Sequence, residues 1–62
     1  MNLETFFLEQ PREVQVFVEK LVTASWSNRD LDVEGEIKKR FGAKYSDEEI
    51  KLLELATRYA LR

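Results

Sequence analysis

The sequence predicts an all-α fold: a small bundle of three main helices preceded by a short N-terminal helix, in one domain over residues 1–62. Three observations lead there. Apolar residues recur at helical spacing in successive segments, and the segments are parted by proline or by polar breaks. Phe41-Gly42 reads as a helix stop and Ser46-Asp47-Glu48-Glu49 as a helix start, so two helices (about 31–41 and 47–61) are joined by a short turn. Only Val14–Val18 has the β-branched composition of a strand, and no second strand exists to pair with it.

Asn2 is suited to cap the first helix, since its side-chain oxygen can accept from the unpaired N–H groups of the first turn. Leu3, Phe6 and Phe7 follow at helical spacing. Pro11 then interrupts. It lacks an N–H and disfavours helix at Gln10, so the first helix is expected to end near Glu9. Proline also suits the first position of a helix. The second helix is therefore predicted over 11–26, with Val14, Phe17, Val18, Leu21 and Ser25 on one buried face. The strand alternative loses on length, because the apolar pattern runs on through Leu21 and Ala24. A lone strand would also leave its backbone unpaired.

Ser27-Asn28-Arg29-Asp30 breaks the pattern and offers several N-caps. The third helix runs from about Leu31 to Phe41, with Val33, Ile37 and Phe41 as its apolar stripe. Gly35 lies near the opposite side, where it costs roughly 1 kcal/mol relative to Ala; it is incidental or it allows a close approach. Gly42 is predicted to take the left-handed conformation that glycine adopts without a Cβ penalty. Ser46 and Glu49 form a capping box, each side chain able to bond the other's backbone N–H. The fourth helix extends from Asp47 to about residue 61.

At about 100° per residue, this last helix divides into faces. Asp47, Lys51, Glu54, Arg58 and Arg62 form a narrow polar stripe. Ile50, Leu53, Thr57 and Ala60 make one largely apolar seam, and Leu52, Leu55, Ala56 and Tyr59 a second beside it. A surface helix needs one apolar stripe only somewhat wider than about 100°. This helix is apolar over roughly twice that, so it is expected to meet protein on two sides. Either it sits at the centre of a compact monomer, or one seam packs internally and the other forms a homodimer or receives a partner. The second reading is favoured because the chain is small. Leu52, Leu55 and Tyr59 are then the candidate interface residues, with Trp26 as a further aromatic anchor.

Composition narrows the function classes. A chain of 62 residues buries only about 60% of its unfolded surface, and its core is marginal. Such domains often add disulfides, a metal or a partner subunit. With no Cys and no His, disulfides and thiolate or imidazole metal sites are excluded, which leaves a partner subunit. The net charge of -2 gives no global attraction for nucleic acid or anionic membranes. At 44% hydrophobic residues the chain is too apolar for disorder. There is no apolar run long enough to span a membrane and no secretory leader, so a cytoplasmic protein is expected.

No phosphate-binding glycine loop, nucleophile elbow or paired-histidine motif is present. The carboxylates read as surface. Glu34, Glu36, Asp47 and Glu54 each precede a base by four residues (Lys38, Arg40, Lys51 and Arg58), the arrangement of solvated helix ion pairs. No enzyme activity, cofactor, metal or small-molecule substrate is expected.

Glu36-Ile37-Lys38-Lys39-Arg40-Phe41-Gly42, followed by Ser46 and Ile50, resembles the helix-turn-helix DNA-binding families. Both have a first helix ending near Gly and a capped second helix with an early apolar anchor. The resemblance covers about 20 residues. It implies a DNA-binding regulator, with Lys38, Lys39 and Lys44 as candidate phosphate contacts and salt-sensitive binding to duplex. Three departures weigh against it. The Gly42–Ser46 connection is longer than the tight turn of those families. Lys38 stands where they place a small residue. The second helix opens Asp47-Glu48-Glu49, which DNA phosphates repel.

The function expected from the sequence is therefore a non-enzymatic helical protein–protein interaction module, an adaptor, inhibitor or regulator. It is expected to be homodimeric through the last helix and to bind a further protein. The helix-turn-helix-like DNA-binding regulator is the alternative.

Overall fold

The computed structural model describes residues 2–61. Arg62, assigned above to the polar stripe of the last helix, lies outside them. Four helices follow in order: α1 (Leu3–Leu8), α2 (Arg12–Ser27), α3 (Val33–Phe41) and α4 (Asp47–Ala60). The described residues contain no strand. The small all-α bundle with a short first helix is thus what the chain forms.

The caps work as their chemistry requires. Asn2 Oδ1 accepts from the backbone N–H groups of Glu4 and Thr5. Both halves of the capping box close: Ser46 N–H donates to Glu49 Oε1 at 2.9 Å and Glu49 N–H to Ser46 Oγ at 3.2 Å. Asp47, Glu48 and Glu49 occupy the first turn of α4, and Lys38, Lys39 and Arg40 the last turn of α3. Each set complements the partial charge at its helix end.

Three local expectations are corrected. Pro11 is the N-cap of α2, not its first helical residue; its ψ of 147° is extended, so the helix begins at Arg12. The third helix begins at Val33 because Asp32 caps it, its carboxylate accepting from Gly35 N–H at 3.0 Å. Gly42 is right-handed, with φ -62° and ψ -19°, and no described residue has positive φ. Its N–H donates to the Lys38 carbonyl at 2.8 Å, which lets the backbone tighten into the turn. What glycine supplies here is space: a Cβ at this position would collide with that carbonyl oxygen.

Helix α4 touches all three others, α2 and α3 also touch each other, and α1 rests on α4. The core is drawn from Val14, Val18 and Val22 of α2, Val33, Ile37 and Phe41 of α3, and Ile50 and Leu53 of α4. Val22 was not among the residues expected inside, whereas Phe17 and Leu21 are only partly buried at its edge. The ring of Phe17 meets Phe41 edge-on at 5.4 Å, and the Arg40 guanidinium lies over Phe17 at 5.1 Å. That stacking takes Arg40 away from Glu36. Of the four acid-to-base pairs expected at i, i+4, only Glu54–Arg58 closes, at 2.9 Å.

The central position of α4 also redraws its faces. Ala56, assigned to the second seam, is fully buried with Ile50, Leu53 and Thr57, while Ala60 of the first seam is exposed. Thr57 is 0% exposed and its Oγ1 has no hydrogen-bond partner among the described residues. An unpaired buried hydroxyl costs about 1–3 kcal/mol. Thr57→Val, of nearly the same shape, is therefore expected to stabilise the domain by about 1 kcal/mol and raise Tm by roughly 4–8 °C in a calorimetric scan. A lower Tm would mean that the hydroxyl is bonded after all.

The radius of gyration is 10.6 Å, about that of a compact chain of this length. The accessible surface of 4404 Å² is within about a tenth of the area usual for a monomer of this mass.

Candidate functional site: an apolar groove beside the last helix

With Ile50, Leu53, Ala56 and Thr57 turned inward, Leu55 and Tyr59 fall outside the buried face of α4, about one turn apart. Trp26 reaches the same place from the last turn of α2, and Leu3 from the start of α1. With Arg58 they line an open groove of about 470 Å³. Trp26 is 59% exposed, Leu55 55% and Tyr59 47%. Three large apolar side chains are thus left in water at one place, which is unfavourable.

Arg58 holds the groove's shape. Its Nε donates to Glu54 Oε2 at 2.9 Å, and its Nη2 lies 2.9 Å from the same oxygen as an ion pair. Nη2 also donates to Ser25 Oγ at 3.3 Å, and Ser25 Oγ donates to the Val22 carbonyl at 2.6 Å. These bonds tie α4 to the end of α2 next to Trp26. The charge of Arg58 is thereby committed, and its alkyl stem is left as wall.

Three of the four expected interface residues thus come together: Trp26, Leu55 and Tyr59. Leu52 does not line this groove and is partly buried in the fold. Sequence reasoning missed Leu3, Arg58 and, on the adjoining surface, Leu8. The available signal was α1 itself, which has four apolar residues among six and so cannot bury them all on one side.

The candidate phosphate contacts are anchored to three different elements. Lys38 Nζ is 3.2 Å from Asp47 of α4, Lys39 Nζ 3.2 Å from Glu36 of α3, and Lys44 Nζ 4.0 Å from Glu13 of α2. All three pairs are exposed and contribute little to stability. Lys38 lines a small hollow between α3 and α4 with Asp32, Glu34, Asp47 and Lys51, where acids outnumber bases. No three of the described acidic side chains converge as metal ligands would. Among the described residues, no helix is long and apolar enough to cross a membrane.

On another side, Tyr45 joins the α3–α4 turn to the α1–α2 joint. Its hydroxyl donates to Gln10 Oε1 at 2.8 Å, Gln10 Nε2 donates to the Phe6 carbonyl, and Gln15 Nε2 to the Gln10 carbonyl. Burial pushes the Tyr45 pKa up, and the nearby carboxylates of Glu49 and Glu13 push the same way. The folded state therefore favours the neutral phenol. Its contribution is fully present below the unfolded tyrosine value of about 10 and is lost as pH rises through the higher folded value. Tyr45→Phe is expected to cost about 1 kcal/mol at neutral pH and to flatten the alkaline loss of stability in urea titrations. An unchanged alkaline slope would refute this role.

No protein family, curated protein or solved structure matches this chain.

Proposed function

We propose that this chain is a non-enzymatic protein–protein interaction module, an adaptor, inhibitor or regulator working in the cytoplasm, and that it binds through the groove of Leu3, Trp26, Leu55 and Tyr59. The observation behind this reading is the gathering of three large exposed apolar side chains from α2 and α4 around one recess. Aromatic anchors around an apolar recess, rimmed by charge, are what protein interfaces concentrate their binding energy on. The preformed groove lowers the cost of ordering that binding otherwise carries.

The test is site-directed photo-crosslinking in the cells that make the protein. A benzophenone side chain replaces Leu55, and in a control it replaces Lys51, which faces the α3–α4 hollow. Adducts from position 55 and none from 51 are expected. A partner so identified, once purified, should bind the native chain and lose Leu55→Asp. Absence of adducts at position 55, or equal adducts at both positions, would overturn the reading.

A further inference from the structure

The groove borders α1, and α1 stands apart from the core. Its six residues bury one side chain, Phe7. The core cluster is drawn from α2, α3 and α4; of α1, only Phe6 packs against it, from the edge. A helix of this length has little stability of its own, so α1 depends on lying along α4. Pro11, extended at ψ 147°, parts it from α2. We propose that α1 is a releasable arm: it leaves α4 as a unit while α2, α3 and α4 stay folded, and its seat then receives an amphipathic helix of the partner. This names the chemistry of the interaction module's partner and rests on that reading.

The occupant of the seat shows what the seat accepts. Leu3, Phe6 and Phe7, at i, i+3 and i+4, are the α1 residues withdrawn from water, whereas Glu4, Thr5 and Leu8 are exposed. Leu3 lines the groove with Trp26, Leu55 and Tyr59. On the other side of Tyr59, Phe7 lines a hollow of about 350 Å³ with Ala60 and Leu61. Ala60, and Ala56 one turn before it, are small, which lets a helix lie close to α4. The arm thus runs from the hollow to the groove and stops there. A partner helix with the same apolar spacing, one or two turns longer at its N-terminal end, fills the seat and continues over Leu55 and Trp26. It covers the apolar side chains that α1 leaves in water, and that surplus favours it over α1.

The clasp is Gln10. Its Nε2 donates to the Phe6 carbonyl at 2.9 Å, and its Oε1 accepts from the Tyr45 hydroxyl at 2.8 Å. Gln15 of α2 adds its Nε2, which donates to the Gln10 carbonyl at 2.8 Å and to the Leu8 carbonyl at 3.3 Å. All of these bonds join neutral groups, and water replaces such bonds at small net cost. They hold the arm in register without fastening it to the core.

Amide-resolved hydrogen exchange of the full chain tests the release. The Phe6 and Glu9 amides, bonded to the Asn2 and Thr5 carbonyls, are expected to be at least about 100-fold less protected than those of Val18 and Leu53. Gln10→Ala should speed exchange at Phe6 and Glu9 by about fivefold or more. Ile37→Val, in the core, should speed Val18 and Leu53 by about fivefold and leave Phe6 and Glu9 unchanged, because the core survives release. Equal protection throughout, an arm indifferent to Gln10→Ala, or a response to Ile37→Val as large in α1 as in the core overturns the proposal.

The seat is tested by titrating a fluorescent peptide of residues 2–11 into the full chain. The resident α1 competes at an effective concentration in the millimolar range, so Phe7→Ser, which removes the arm's anchor, should bind the peptide at least about tenfold more tightly than the native chain. Tyr59→Asp added to that variant should abolish the gain. Circular dichroism follows the folding of each variant. A Phe7→Ser chain that unfolds, or that binds the peptide no better than the native chain, overturns the proposal. Adducts through position 55 from a chain that fails these tests refute the arm alone. A releasable arm without such adducts refutes the interaction module.

Discussion

Leu53→Ala is expected to leave little folded protein at physiological temperature, whereas Leu55→Ala, two residues along the same helix, folds normally and loses binding through the groove. The side chains are chemically identical; their surroundings differ. Leu53 is 1% exposed, between α2 and α3, and Leu55 is 55% exposed. Removing a buried leucine side chain costs about 2–5 kcal/mol. A single core in a chain this short supplies about 3–5 kcal/mol in all, so the loss at Leu53 is of the same size as the total. At Leu55 the change in folding stability is expected within about 0.5 kcal/mol, since alanine is at least as good a helix former. Urea titration by circular dichroism measures the first effect, and binding to the partner captured through position 55 the second. Similar unfolding by both variants would mean that α4 is rotated relative to the faces described here.

Gly42→Ala is the second large effect, and its sign is diagnostic. At an ordinary right-handed φ of -62°, replacing glycine by alanine normally stabilises by about 0.4–1 kcal/mol, because the unfolded chain loses freedom. Here the added Cβ meets the backbone carbonyl of Lys38, with the Lys38 Cγ also 3.3 Å away. A backbone atom held by its own hydrogen bond to Gly42 cannot give way as a flexible side chain would. The expected outcome is therefore destabilisation by about 1–3 kcal/mol, as in other overpacked sites. The midpoint of urea unfolding reads it directly. A midpoint that rises would show that the turn relaxes freely and that glycine at this position is incidental.

The two variants mark where sequence reasoning worked and where it stopped. The helix ends were legible because caps act within a few residues. Asn2, Ser46 and Glu49 bond their own first turns, and proline at position 11 forbids a continuous helix whatever surrounds it. The stop at Gly42 was placed correctly, but for the wrong reason. Glycine there was expected to provide left-handed backbone, whereas it makes room for a carbonyl oxygen, a distinction visible only once the turn is built.

Side-chain partners were far less legible. Spacing suggested Glu36–Arg40 and Asp47–Lys51, yet Arg40 lies over Phe17 and Asp47 meets Lys38. Exposed ion pairs differ by only tenths of a kcal/mol, so tertiary neighbours choose among them. In the groove, Leu55 and Tyr59 were named because they lie on the second apolar seam of the last helix, and Trp26 because it joins a large apolar body to one polar group. Leu3, Leu8 and Arg58 were not named, because their role depends on how α1 lies along α4.

By itself, the sequence determined the class of fold, the order of the helices, the N-caps of the first and last of them and the excess of apolar surface on the last helix. These are set by local backbone chemistry and by the period of the α-helix. Only the tertiary structure decided how that excess is shared. Burial of Ala56 and Thr57 among α2, α3 and α1 fixed the rotation of α4, and that rotation turned Leu55 and Tyr59 outward beside Trp26. The physical reason is that one chain offers α4 three neighbours, enough to cover most of its circumference but not all of it, and the uncovered arc is the candidate site.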